Sequence, residues 1–149
     1  MYESNRIILP TKTFVIMSRK NKNKPTESEL EILQIIWEEG PSSVRSVNEI
    51  LNAKRKTGYT TTLKIMQIML DKNLLSRNEE SRIHIYSTVA EKEEIQARLL
   101  NNFLMNTFSG SAHSLVMQAL GNHKPSRKEL EQIKSLIKDL ENNKDGASE

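Results

Sequence analysis

The apolar period changes once along residues 26–89, and the order of that change limits the fold. Three successive stretches place apolar side chains at helical spacing, and the next two are short β-type segments, of which Ile83-His-Ile-Tyr86 alternates with Arg82. The first opens on Thr26-Glu-Ser-Glu29, a capping box in which Glu29 reaches back to the cap amide. Leu30, Leu33, Ile36 and Trp37 follow, with Trp37 expected in the core, and Gly40-Pro41 ends the helix. The second starts near Ser43, carries Val44, Val47, Ile50 and Leu51, and runs out in the basic turn Lys54-Arg55-Lys56-Thr57-Gly58. The third covers about residues 59–73, with Leu63, Met66, Met69 and Leu70 on one face. Residues 74–78 and 83–89 read as two strands joined by Asn78-Glu-Glu-Ser81, with Tyr86 packing the base of the hairpin. Three helices followed by a hairpin is the order of a winged helix-turn-helix.

The rest of the chain is helical. A helix over about 90–108 carries Ile95, Leu99, Leu100, Phe103, Leu104 and Phe108, and stops at Ser109-Gly110. A shorter one carries Leu115, Val116, Ala119 and Leu120, with Gly121 placed as its C-cap. Ser126-Arg-Lys-Glu129 is a second capping box and opens a last helix with Leu130, Ile133, Ile137 and Leu140. Three thin apolar stripes do not close a core alone, so they are expected to meet a second copy of the chain. The fold class is therefore mainly α: a winged helix-turn-helix domain over 25–90 and a three-helix dimerisation module over 91–142. Residues 143–149 form a polar tail expected to fray. The dimer seam is assigned to Ile95, Leu99, Phe103, Phe108, Leu115, Val116, Leu120, Leu130, Ile133 and Ile137.

Residues 1–24 read as an N-terminal extension. The apolar run from Ile7 to Met17 is broken by Pro10 and Lys12 and lacks a basic lead-in and a cleavage site, so it is not read as a signal peptide; it is either a loosely held strand or, the favoured reading, sequence upstream of a natural start at Met17. Ser18-Arg-Lys-Asn-Lys-Asn-Lys24 follows as a basic arm expected to be mobile. No stretch approaches the roughly 20 apolar residues of a membrane span, so no membrane insertion is expected.

Enzyme chemistry finds no footing. The chain has no cysteine, which excludes disulfides, thiolate metal sites and cysteine nucleophiles, and fits a reducing cytoplasm. His84, His113 and His123 are scattered without metal-ligand spacing, and the five glycines form no phosphate loop. The Glu93-Glu94 pair reads as a solvated helix face. No catalytic residue, metal or cofactor is expected.

Charge placement points to double-stranded DNA. Residues 1–90 hold 14 Lys and Arg against 10 Asp and Glu, whereas residues 91–149 hold 8 against 9. The positives cluster at Lys54, Arg55 and Lys56, at Lys64 and Lys72, and at Arg77 and Arg82 beside the hairpin. They lead into a helix, run along it and flank a wing, as a major-groove reader requires. Thr60, Thr61, Thr62 and Lys64 are the candidate base readers, with Ile65 facing away from the core toward a thymine methyl. Lys54, Arg55, Lys56, Arg77 and Arg82 are the candidate phosphate contacts.

At these residues the sequence resembles the penicillinase-repressor family of BlaI/MecI type. Ser28-Glu-Leu-Glu-Ile-Leu-Gln-Ile-Ile-Trp37 looks like the family's opening signature, and Tyr59-Thr-Thr-Thr-Leu is similar to one subgroup's recognition-helix start. Ile83-His-Ile-Tyr86 falls at the wing strand. Asn102-Phe103, Phe108-x-Gly110, Ser114-Leu-Val116 and Ser126-x-x-Glu129 match the dimerisation module in order. The resemblance covers about residues 25–140. It implies a homodimeric repressor of an inverted-repeat operator and, in the best-known members, control of β-lactam resistance genes through a membrane sensor-protease pathway. It places a proteolytic cut between Asn102 and Phe103. Two departures limit it. Thr60-Thr-Thr-Leu-Lys64 does not reproduce the Ser-Pro-Lys-Thr style of the penicillinase and methicillin repressors, so their operator does not transfer. The cysteine-rich tail of copper-sensing relatives has no counterpart here. The alternatives are a small-molecule-responsive winged-helix regulator and a helical protein–protein adaptor that does not bind DNA.

Overall fold

The computed structural model describes residues 24–146. The upstream extension and most of the basic arm lie outside the described residues, as do the last three positions of the tail. In chain order the elements are α1 (Glu27–Glu39), α2 (Val44–Lys54), α3 (Tyr59–Asp71), β1 (Leu75–Asn78), β2 (Ile85–Thr88), α4 (Lys92–Thr107), α5 (Ala112–Asn122) and α6 (Arg127–Gly146).

Local chemistry sets most of these boundaries. Thr26 accepts from the Glu29 amide at 3.3 Å while the Glu29 carboxylate accepts from the Thr26 amide at 3.0 Å, which closes the capping box of α1. Gly40, at φ 84°, then turns the chain out of the helix. Ser43 caps α2 by accepting from the Ser46 amide at 3.2 Å. After α3 the chain turns through Asn73 at φ 58°. There the Leu74 amide donates to Met69 and the Asn73 amide to Leu70, the paired bonds of a Schellman stop.

β1 and β2 pair antiparallel, with Arg77 opposite Tyr86 and Leu75 opposite Thr88. Ser42 adds an isolated antiparallel bridge to this wing: its amide and carbonyl exchange bonds with Tyr86, both at 2.9 Å. Tyr86 is buried in the core beside Leu74 and Leu75. Ile32, Leu33, Ile35 and Ile36 of α1, Val47 and Leu51 of α2, and Met66 and Met69 of α3 complete that core. Trp37 packs against it half-buried. The arrangement is a winged helix-turn-helix.

The chain divides into two compact units between Leu99 and Leu100, inside α4. The first turns of α4 fall with the winged unit in this division. Ile95 is 3% exposed and already covered within the chain, which removes it from the set offered to a partner.

In the second unit α5 and α6 have no buried residue. Phe103 and Phe108 meet edge to face with centroids 5.5 Å apart. Gly121 is not a C-cap: α5 runs past it to Asn122, and the His123 amide closes the helix on Ala119. Glu129 caps α6, accepting from the Ser126 amide at 2.7 Å and its hydroxyl at 2.8 Å, and these bonds hold its carboxyl below the usual range. The polar stretch expected to fray instead continues α6 to Gly146.

Candidate nucleic-acid interface

The turn between α2 and α3 is held from inside. The Asn48 amide, buried on α2, donates to the Thr57 carbonyl and to Thr62 Oγ1, both at 2.9 Å. Asn52 donates to Asn48 Oδ1 at 3.1 Å and accepts the Thr57 amide at 2.8 Å. Thr62 Oγ1 in turn donates to the Gly58 carbonyl at 3.4 Å. Every polar group in this buried set has a partner, so the start of α3 is fixed at a defined angle.

Thr62 is consequently corrected from base reader to positioning residue. It is 0% exposed and its hydroxyl is occupied inside the protein. Thr60, Thr61 and Lys64 are exposed as expected. Ile65 is corrected as well, because it packs against the core cluster rather than away from it. Ile68, 43% exposed, takes the outward position that Ile65 was expected to hold. Both corrections share one cause. Thr62, Met66 and Met69 form the buried line of α3, so the helix is rotated from the face marked by Leu63 and Leu70, which are only partly buried. Gln67, not anticipated from the sequence, lies exposed on the outward ridge with Thr60, Lys64 and Asp71.

The basic lead-in is solvent-facing. Lys54, Arg55 and Lys56 are all exposed, and Arg55 pairs with Glu31 at 3.0 Å. An exposed pair of this kind is worth little, about 0–1 kcal/mol, so a phosphate can displace it. Lys72 is different. Its ammonium lies 2.7 Å from Glu29 and 3.1 Å from the Lys24 carbonyl, where it ties the end of α3 to the start of α1. It leaves the basic surface for that reason.

On the wing, Arg77 pairs with Glu79. The bond to Glu79, then one to Tyr86, raises the guanidinium further above its ordinary value, and the same pairing lowers Glu79. Arg82 is exposed at the wing tip beside Ile83, which is 64% exposed. An open cleft of about 400 Å³ runs between the wing and the first turns of α2 and α3, lined among others by Arg45, Tyr59, Arg82, Ile83 and His84. Arg45, Tyr59 and His84 are not among the DNA contacts expected from the sequence. Arg45 is an exposed cation in the first turn of α2, where it opposes the helix dipole and pairs with Glu49 at 3.2 Å.

Among the seam candidates, Phe103, Val116, Leu130 and Ile137 are exposed, and Leu99, Phe108, Leu115, Leu120 and Ile133 are partly buried. Asn102 and Phe103 are both exposed, and the bond between them lies inside α4. Among the described residues no cluster of His, Asp or Glu has metal-site geometry, and no helix is long and apolar enough to cross a membrane.

A Staphylococcus aureus penicillinase repressor is 26% identical over 124 residues, covering 79% of this chain and 96% of the relative. The methicillin resistance regulatory protein MecI of Mammaliicoccus sciuri is 21% identical over 112 residues, covering 75% and 91%. The transcriptional regulator BlaI of Mycobacterium tuberculosis is 33% identical over 73 residues, covering 48% and 53%. The penicillinase repressor family profile matches residues 25–139, from the start of α1 into α6. The chain therefore belongs to the penicillinase repressor family, which is a family of transcriptional repressors and not of enzymes.

Proposed function

We propose that the protein is a cytoplasmic homodimer that binds an inverted-repeat DNA operator and represses genes of β-lactam resistance. The observation that carries this reading is the outward face of α3: Thr60, Thr61 and Lys64 stand exposed on a helix whose start is locked by the Asn48–Thr62 network. Base contact falls to those three residues. Lys54, Arg55, Lys56, Arg77 and Arg82 contact phosphates and set register without reading sequence. Dimerisation uses the uncovered apolar faces of α5 and α6 and the end of α4, which supply the two-fold symmetry that an inverted repeat demands. The resistance genes come from the names of the relatives, which regulate penicillinase and methicillin resistance.

Repression is relieved in this proposal by a cut between Asn102 and Phe103, downstream of a membrane sensor-protease. Asn101 and Asn102 are weak helix formers in mid-helix, which eases the local opening a protease needs. A mobility-shift assay with genomic fragments flanking the gene, at physiological salt, tests the core of the reading. Specific retardation of one fragment is the expected result. No retardation at any concentration would favour an adaptor whose basic patches are only solvated.

A further inference from the structure

The outward ridge of α3 does not end at Lys64. We propose that Gln67 is a specificity-determining residue that selects an adenine in each half-site, at a base pair beyond those met by Thr60, Thr61 and Lys64. The inference rests on the DNA-reading role proposed above and deepens it.

Helix phase is the first support. Thr62, Met66 and Met69 define the buried line, and at about 100° per residue Thr60, Lys64 and Gln67 fall in one narrow stripe opposite it. From Thr60 to Gln67 the axis advances about 10 Å, the rise of roughly three base-pair steps.

Availability is the second. Gln67 is exposed and its side chain makes no hydrogen bond with any described residue, unlike Arg55, Lys72 and Arg77 nearby.

Side-chain chemistry is the third. A neutral amide carries a donor and an acceptor side by side, which matches adenine N7 and N6 in the major groove. The cations suited to the phosphate backbone lie before this helix, at Lys54, Arg55 and Lys56, whereas the ridge position of Gln67 holds a neutral amide. Asp71 stands next on the same ridge, and its carboxylate repels backbone, so Gln67 is the last ridge position suited to the groove. Ile68 beside it offers an apolar surface of the kind a thymine methyl fits.

The test uses the full chain and its Gln67→Ala variant, each presented with a library of randomised duplex DNA and then with single-base variants of the selected site. The substitution is at an exposed helical position and favours helix, so the fold is retained; an unchanged Tm verifies this. Wild type should select adenine at one position per half-site beyond those altered by Thr61→Ala or Lys64→Ala. Gln67→Ala should lose that preference alone, by about 5- to 150-fold between adenine and the other bases, with the salt dependence unchanged. A selected site identical for both proteins would overturn the role of Gln67 while leaving the repressor reading intact. Equal weakening on all sequences would make Gln67 a backbone contact and also overturn it. If wild type selects no sequence at all, the operator-binding reading falls together with this one.

Discussion

Thr60, Thr61 and Thr62 have the same chemistry and sit side by side, yet α3 sends them to different environments. Two face solvent and the third is sealed against Asn48. Their substitutions should therefore fail differently. Thr61→Ala should leave stability near wild type and reduce specific binding by about 1–3 kcal/mol, as should Lys64→Ala, measured by competition against random DNA. Asn48→Ala removes the donor to Thr57 and Thr62 and leaves both buried acceptors short of a partner. It should lower stability by about 1–3 kcal/mol in denaturant unfolding and weaken binding to every sequence. Lys56→Ala, at a proposed phosphate contact, should reduce the salt slope by about one contact without changing specificity. The sequence shows that threonines open this helix, but which of the three turns inward depends on how Met66 and Met69 seat against α1 and α2. That is tertiary information. The same rotation exchanges Ile65 and Ile68, and it hides Gln67 from any reading that takes Leu63 and Leu70 as the centre of the buried face.

Elements whose ends are written in local chemistry were legible in advance. Thr26 with Glu29, Ser43, and Ser126 with Glu129 each cap a helix where the sequence places one. The rung between Ser42 and Tyr86 was not legible, because a single pair distant in sequence has no periodicity. Gly121 misled because glycine favours C-caps on average, while here the helix passes through it. The extension of α6 to Gly146 follows from charged helix formers such as Glu141 and Lys144, which polarity alone marked as tail. The apolar stripes of α5 and α6 were visible in the sequence, and their exposure within one chain supports a partner of like kind. Replacing Leu115 and Val116 together with Asp should set charges in that seam and give monomers by sedimentation velocity. Operator affinity should fall with the loss of paired binding, by a factor of order 10²–10⁴. A dimer unchanged in size would move the seam to other faces.

At the scale of the whole molecule, α4 is shared between the two units, with its first turns, including buried Ile95, on the winged side of the division. A cut between Asn102 and Phe103 falls after that division, so the fragment ending at Asn102 keeps every core residue of the winged unit. Expressed alone, it should show the cooperative unfolding of a folded domain and shift a single half-site. It should occupy a full operator only at concentrations about 10²–10⁴ times those of the intact protein. Loss of a cooperative transition in that fragment would mean that cleavage works by unfolding. With the winged unit left whole, the proposed cut would change the molecularity of repression and leave its chemistry alone. On that proposal an order-two reader would become an order-one reader, and the operator would be freed by dilution. A cell carrying many copies would then shed repression late, and one carrying few would shed it at the first cuts. The copy number of the repressor would then set the threshold of the response.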